Sequence, residues 1–224
     1  MTRSSKGMLP GRSLASAFAL TLVLAAPALA QSQPAAPAAA EPLPQVGAQR
    51  VEEVIRSTFT RAPAEWRARV ELDETQRMCT ERRNQVSGAE ADAIQARERA
   101  RVVLPPDGRF LGDWRRGLAV ANSGRGGQFS DAANTVSGGN CYACHQMDPK
   151  ELSFGTLGPS LAGYGRDRNY DPELIREAYI KIYNSQAVVA CSNMPRFGAT
   201  HFLSMDQIRD VLAYLFDKDS PVNK

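Results

Sequence analysis

Apolar residues in the first half of the chain recur at helical spacing, which predicts three helices between residues 49 and 106. The first ends before Pro63, the second begins near Trp66 and runs through Cys79, and the third runs from Ala89 to Val103. None of them carries enough apolar surface to form a core alone, so we expect them to lie against the rest of the chain or a partner subunit. Their charged faces are interpreted as solvated surface. The stripes comprise Val51, Val54, Ile55 and Phe59 in the first helix and Trp66, Val70, Leu72 and Met78 in the second.

Three further helices are predicted in residues 107–224, each from a capping signal followed by apolar periodicity. Asp113 precedes the first of them, Asp171 and Pro172 open the second, and a capping box at Ser204–Gln207 opens the last. The pattern therefore favours an all-α fold with an N-terminal helical extension. The expected buried side of the last helix comprises Ile208, Val211, Leu212, Leu215 and Phe216.

The first thirty residues have the parts of a secretory signal peptide. A basic head is followed by a short apolar run that ends in Ala28-Leu29-Ala30, an A-x-A cleavage signal. The run is short and interrupted for a membrane span, although a retained membrane anchor is the alternative interpretation. Residues 31–48 are rich in Ala and Pro and predict a disordered linker. We expect a periplasmic protein with no membrane span after cleavage.

Removal of residues 1–30 changes the charge of the protein. Three of its 27 basic residues lie there and none of its 24 acidic ones, so 24 of each remain. A formally neutral mature chain argues against nucleic acid or an anionic membrane surface as a partner.

The strongest chemical signal is the sequence Cys141-Tyr142-Ala143-Cys144-His145. Two thiols one helical turn apart can both reach the vinyl groups on one edge of a porphyrin, and the histidine that follows can bind the iron at the ring centre. C-x-x-C-H is the attachment signal of c-type haem. Two other interpretations are a thioredoxin-like dithiol, which needs a βαβ context, and half of a zinc site, which needs a second Cys/His pair nearby. We expect one covalent haem c with His145 as an axial ligand.

The second axial position of the iron has four candidate ligands. Met147 is two residues from His145 and cannot reach the opposite face of the ring, while Met205 lies in the capping box of the last helix. His201 is a suitable ligand type. Met194 is preferred, because it lies in an irregular loop where Pro195 restricts the backbone. A thioether raises the reduction potential of the iron relative to a second histidine and closes the iron to substrates, which favours electron transfer.

Two cysteines remain outside the motif, Cys79 and Cys191. In an exported protein an even leftover pair predicts a disulfide, which would join the helical extension to the loop that carries Met194. Closing the long loop between Cys79 and Cys191 contributes about 4–5 kcal/mol to stability in the chain-entropy model. The alternative is that Cys191 is a reactive thiol or an iron ligand.

The order of helix, C-x-x-C-H, G-P-x-L-x-G, Met loop and C-terminal L-A-Y-L helix resembles class I cytochrome c. Within it, the phrases GGNCYACHQ, GTLGPSL and CSNMPRFG resemble the SoxX family, over roughly residues 110–224. The loop at residues 122–140 is longer than in small cytochromes and is expected to shape a subunit interface.

The resemblance implies a role as well as a fold. SoxX proteins are the monohaem subunits of SoxAX, an L-cysteine S-thiosulfotransferase that oxidatively joins thiosulfate to a cysteine of the carrier protein SoxYZ. The chemistry is expected at a SoxA-type haem subunit, and the SoxX-like subunit passes electrons to a small cytochrome c. The resemblance further implies that the Pro159 carbonyl accepts a hydrogen bond from His145, and that Gly117 meets Val211 and Tyr214 where the first and last helices of the domain cross.

Two other functions remain open on the sequence alone. A free-standing periplasmic shuttle cytochrome c would share the haem motif, although such a carrier has little need of the N-terminal helices. A haem enzyme such as a peroxidase would need an open or labile iron site.

Overall fold

The computed structural model describes residues 47–61, 69–128, 130–132 and 134–224. The predicted signal peptide and most of the predicted linker lie outside these residues. The described part has no strand, so the predicted all-α fold is confirmed. Its α helices are α1 (Ala48–Thr58), α2 (Glu74–Glu81), α3 (Gly88–Arg99), α4 (Trp114–Asn122), α5 (Pro172–Tyr183) and α6 (Met205–Phe216). Short 3₁₀ helices lie at Cys141–Ala143, Arg166–Arg168, Ser185–Ala187 and Pro221–Asn223. None of the helices in these ranges is long and apolar enough to cross a membrane.

Helices α2 and α3 are both shorter than predicted: a capping box fixes a later start for α2, and α3 ends earlier than expected. Asp73 caps α2 with Gln76, so Val70 and Leu72 belong to the turn before the helix; Trp66 lies outside the described residues. Ser87 and Glu90 form the corresponding box of α3, which ends at Arg99 and does not reach Val103. The assignment of Val70, Leu72 and Val103 to helix was thus wrong, and that of Trp66 stays a prediction.

The capping signals of α4, α5 and α6 are confirmed. The carboxylate of Asp113 accepts hydrogen bonds from the backbone N–H of Arg115 and Arg116. Asp171 caps α5 with Pro172 in its first turn, and Ser204 forms a capping box with Gln207 at α6. Every residue predicted on the inner side of α6 is buried.

The main core lies between α5 and α6, with α4 crossing α6. Gly117 permits this crossing, since a Cβ there would lie 1.9 Å from the carbonyl oxygen of Asp210 and 2.8 Å from Cβ of Tyr214. The predicted meeting with Tyr214 is correct, but the backbone of Asp210, not Val211, lies nearest to Gly117. The buried carboxylate of Asp210 accepts two hydrogen bonds from Arg116 and one from the backbone N–H of Asp113, which ties the start of α4 to α6.

A second, smaller core joins the extension to the domain. Cys79 of α2, Ile94 of α3 and Ala190 in the loop after α5 are all buried in it. A disulfide joins Cys79 to Cys191, with Cα atoms 5.6 Å apart. The extension therefore packs on the rest of its own chain through α2 and α3. Helix α1 differs, because Val54 and Phe59 of its predicted apolar stripe are exposed.

Candidate haem-binding site

The 3₁₀ helix Cys141–Ala143 sets the spacing of the two motif thiols. The carbonyl of Cys141 accepts hydrogen bonds from the backbone N–H of Cys144 at 3.1 Å and of His145 at 2.9 Å, so the motif makes a single tight turn. Asn140, just before it, adopts a left-handed conformation with φ 46°. Cys141 and Cys144 are both free thiols. Burial raises the pKa of the Cys141 thiol to about 12, which keeps it protonated at neutral pH.

His145 is held in one tautomer. Its Nδ1 donates a hydrogen bond to the carbonyl oxygen of Pro159 at 2.7 Å, because a carbonyl can only accept. Nε2 is then the nitrogen that carries a free lone pair and can bind a metal ion. A backbone partner on the other ring nitrogen is the usual way in which a ligating histidine is oriented. This contact agrees with the one that the resemblance implies.

The segment from Gly155 to Leu161 lies directly on the motif. Three backbone hydrogen bonds join the two: Gly155 N–H to Tyr142 at 2.8 Å, Gly158 N–H to Cys144 at 2.9 Å and Leu161 N–H to Gln146 at 2.7 Å. Only a glycine fits at position 158, since a Cβ there would lie 2.2 Å from Cε1 of His145. The imidazole therefore rests on bare backbone, and its plane is fixed by contact as well as by hydrogen bonding.

Tyr142, between the two cysteines, fastens the motif to the main core. Its hydroxyl is 2.7 Å from the hydroxyl of Tyr214 on α6 and accepts a hydrogen bond from the backbone N–H of Asp148. Tyr214 is fully buried, and burial raises the pKa of its hydroxyl above the ordinary value. The hydroxyl of Tyr214 thus stays neutral, and the motif is tied to the helix that α4 crosses.

Met194 lies in the loop between α5 and α6, half-buried against the main core. Its backbone is held at both polar groups: the carbonyl accepts from the hydroxyl of Ser185, and the N–H donates to the hydroxyl of Ser192. The loop geometry therefore presents a fixed backbone with a neutral thioether side chain.

The other three candidates for the second axial position occupy different environments. Met147 is 1 % exposed and belongs to the main core. Met205 is the first residue of α6 and packs partly against the same core. His201 is exposed and has a left-handed backbone with φ 55°.

The loop that carries Met194 contacts the extension through charged residues that the sequence analysis missed. Arg196 donates a hydrogen bond from Nη1 to the carboxylate of Asp73 at 2.6 Å, and lies 3.8 Å from the carboxylate of Glu98. Glu98 is 1 % exposed, so the interpretation of the charged face of α3 as solvated surface is wrong at this position. The signal was available: Glu98 follows the buried Ile94 by one helical turn and shares its face.

Glu98 remains ionised although it is buried. Burial alone would raise the pKa of its carboxyl, but hydrogen bonds from Thr75 and Asn184 oppose that effect. The charges of Arg101 and Arg196 act in the same direction as these hydrogen bonds. Together they hold the pKa of Glu98 below its ordinary value of 4.5.

The donor set fits a covalently attached haem. It contains two reduced thiols on one turn, an imidazole with its second nitrogen committed to a carbonyl, and a thioether on a constrained loop. In the part of the chain that the structure describes, no three His, Cys, Asp or Glu side chains are grouped as a metal cluster would need. The same ranges hold no strand to provide the βαβ setting of a thioredoxin-like dithiol.

The comparisons with known proteins agree with this geometry. An uncharacterized lipoprotein of Aquifex aeolicus (strain VF5) is 41 % identical over 128 residues, which cover 56 % of this chain and 60 % of that protein. The chain thus spans about 60 % of the length of this curated relative. Residues 129–217 match the sequence model of the cytochrome c family. The similarity to the cytochrome c family thus covers the part of the chain that carries the C-x-x-C-H motif and Met194.

Proposed function

We propose that this protein is the haem c electron-transfer subunit of a periplasmic, thiosulfate-oxidising complex of the SoxAX type. His145 and Met194 are its axial ligands, and Cys141 and Cys144 anchor the porphyrin. The observation that carries the haem assignment is the hydrogen bond from His145 to Pro159, made directly above the bare backbone of Gly158. This contact commits one ring nitrogen to protein and leaves the other for iron.

The bound haem supplies a one-electron iron couple, and the chain sets the properties of that couple. The half-buried Met194 contributes a neutral thioether, which favours the reduced iron more than a second histidine would. The packed glycine and the carbonyl partner keep the imidazole in one orientation during the change of oxidation state. A site with both axial positions taken by side chains passes electrons and leaves substrate chemistry to another protein.

The thiosulfate context is supported by the phrases GGNCYACHQ, GTLGPSL and CSNMPRFG, which resemble the SoxX family. In this role the subunit accepts electrons when a SoxA-type haem subunit couples thiosulfate to a cysteine of SoxYZ. It then passes them to a small cytochrome c. Export is supported by the signal-peptide pattern of residues 1–30 and by the lipoprotein name of the Aquifex aeolicus relative, since lipoproteins are exported proteins.

Native purification tests this proposal. The protein is expressed with its signal peptide in a host that matures c-type haem, and its mass and Soret absorbance are measured. We expect one covalent haem per chain from this host. In a separate purification from an extract of the source cells, we expect the protein to co-elute with a second haem subunit. A haem protein that elutes alone would favour the free-standing shuttle, and a mass equal to the bare chain would refute the haem assignment.

The ligand assignment has its own test. Met194→Ala should remove the weak far-red band of a ferric haem with methionine coordination and lower the reduction potential. His201→Ala serves as the matched control and should leave both unchanged, because His201 is exposed. A band that persists in Met194→Ala would place the ligand elsewhere. Rapid binding of carbon monoxide by the reduced wild-type protein would favour the peroxidase-like alternative.

A further inference from the structure

The loop that carries Met194 is fastened to the N-terminal extension on its N-terminal side. Cys191, three residues before Met194, is bonded to Cys79 of α2. The bond lies inside the small core, where Ile94 is fully buried and Cys79 and Ala190 are each 5 % exposed. A covalent link in a packed environment leaves this end of the loop little freedom relative to α2 and α3.

The same loop is fastened to the extension on its C-terminal side as well. Arg196, two residues after Met194, pairs with Asp73 at 2.6 Å and faces Glu98 at 3.8 Å. Its side chain is only 14 % exposed, so this pair is better shielded from water and salt than an ordinary surface ion pair. Asp73 begins α2 and Glu98 lies in α3, so both helices contribute to the contact.

A third contact ties the base of the loop to the extension. Asn184, which ends α5, donates from Nδ2 to the carboxylate of Glu98 at 2.9 Å and to its backbone carbonyl at 3.3 Å. Asn184 and Glu98 are both buried. The following Ser185 in turn donates to the carbonyl of Met194. A continuous series of contacts therefore leads from α3 to the backbone of the proposed ligand.

We propose that α2 and α3 form a clamp that grips the Met194 loop on both sides of the methionine and holds its thioether on the iron. Asp73, Cys79, Glu98 and Arg196 are positioning residues in this clamp. The proposal rests on the assignment of Met194 as the second axial ligand.

A neutral thioether is a weak ligand. Whether it stays bound depends on how much conformational freedom its loop gains when the methionine leaves the iron. Ordering the loop in advance lowers the entropy lost when the bond forms. The clamp also gives helices α2 and α3 of the extension a role at the proposed haem site.

The first test uses Asp73→Asn in the full-length holoprotein. Asparagine caps helices as well as aspartate does, so α2 keeps its start while the pair with Arg196 loses its charge. Imidazole is added to the ferric protein, and the rate at which the far-red methionine band disappears is followed. We expect displacement of methionine to become about fivefold faster, the factor that a lost ion pair of this kind corresponds to.

Glu177→Gln is the matched control. Glu177 of α5 pairs with Arg99 of α3, so the substitution breaks a different charged link between the extension and the domain, one that involves no residue of the Met194 loop. Its displacement rate should equal that of the wild type. Equal rates in Asp73→Asn, Glu177→Gln and wild type would overturn the clamp.

A second variant tests the covalent side of the clamp. Cys79→Ser combined with Cys191→Ser should also accelerate displacement and should lower the reduction potential, and adding Asp73→Asn should abolish the far-red band at room temperature. A triple variant that keeps its covalent haem, its band and its potential would refute the proposal. Met194→Ala separates the ligand assignment from the clamp. If the band survives in Met194→Ala, the ligand assignment is refuted. If the band is lost in Met194→Ala but does not change in the clamp variants, only the clamp is refuted.

Discussion

The two sides of the candidate haem site are built in opposite ways. On the His145 side, the partner of the imidazole is 14 residues away in sequence, at Pro159. On the Met194 side, the disulfide spans 112 residues and the pair between Asp73 and Arg196 spans 123. One proposed ligand is thus oriented by residues near it in sequence, and the other by helices from the far end of the chain. The first arrangement is inexpensive in loop-closure entropy, whereas the second forms only when the whole domain has folded.

The largest effect is expected from Gly158→Ala, which should disrupt the position of the imidazole on the His145 side. The added Cβ would lie 2.2 Å from the imidazole, which must then leave the Pro159 carbonyl. We expect the amount of covalent haem per chain, measured from mass and Soret absorbance, to fall to a small fraction of the wild type.

Gly124→Ala is the control for Gly158→Ala. Its Cβ would meet the side chain of Asn140 at an ordinary 3.5 Å, so haem content should not change. Full haem content in Gly158→Ala would show that the imidazole does not depend on this contact.

Removal of the disulfide between Cys79 and Cys191 should destabilise the Met194 side of the site measurably. Cys79→Ser with Cys191→Ser should lower the free energy of unfolding by about 2–5 kcal/mol, because the unfolded chain regains the freedom that the bridge removed. Urea titration followed by circular dichroism measures this. A midpoint identical to the wild type, at an unchanged slope, would show that the bridge contributes nothing to folding.

Acid should weaken the Met194 side through Glu98. The pKa of its carboxyl is held below 4.5 in the folded protein, so its stabilising contribution is complete above that pH and is lost as the pH falls through the folded-state pKa. Glu98→Gln should lower the free energy of unfolding by about 1–3 kcal/mol at neutral pH. The amide NH₂ that replaces one carboxylate oxygen cannot accept the hydrogen bond from Thr75 or Asn184.

The test for Glu98 compares unfolding free energies between about pH 7 and about pH 3. Wild type and Glu98→Gln should converge as the pH falls, because the wild type loses a contribution that the variant lacks. Parallel curves across this range would contradict the assignment of acid sensitivity to Glu98.

The smallest effect is expected from Tyr142→Phe on the His145 side. The substitution leaves the buried hydroxyl of Tyr214 without its 2.7 Å partner, which should cost about 1 kcal/mol of unfolding free energy while haem content stays normal. Tyr170→Phe is the control, since its ring contact with Lys218 survives the change. A loss of haem in Tyr142→Phe would show that this link sets the motif geometry and not only its stability.

The difference between the two sides also explains what could be predicted from sequence. The motif turn, the caps at Asp113, Asp171 and Ser204 and the inner side of α6 depend on residues a few positions apart, so their pattern is visible in one sequence. The role of Arg196 depends on Asp73 and Glu98, and no local pattern links residues so far apart. The pairing of Cys79 with Cys191 could be predicted because the motif accounts for the other two cysteines.

The limits of helices α2 and α3 were missed for a related reason. Leu72 continues the helical spacing of α2 outward, but the capping box begins that helix at Glu74. Val103 continues the spacing of α3, but that helix ends at Arg99. Hydrogen bonds from cap side chains to the first N–H groups outweigh the weak preference of a few apolar positions. The contact of Gly117 with Asp210 was missed because it is made by the backbone of Asp210, and the apolar pattern reports only on side chains.

The bridge between Cys79 and Cys191 also has a consequence for biogenesis. Four cysteines in one chain must be sorted into a pair that is oxidised and a pair that stays reduced for attachment, although four thiols can be joined in three ways. In the folded chain Cys141 is partly buried, and its raised thiol pKa leaves little of the thiolate form that reacts with oxidants. An expression system therefore has to supply oxidant and reductant at the same time, and a host that supplies only one of them will yield scrambled or bridge-free chains.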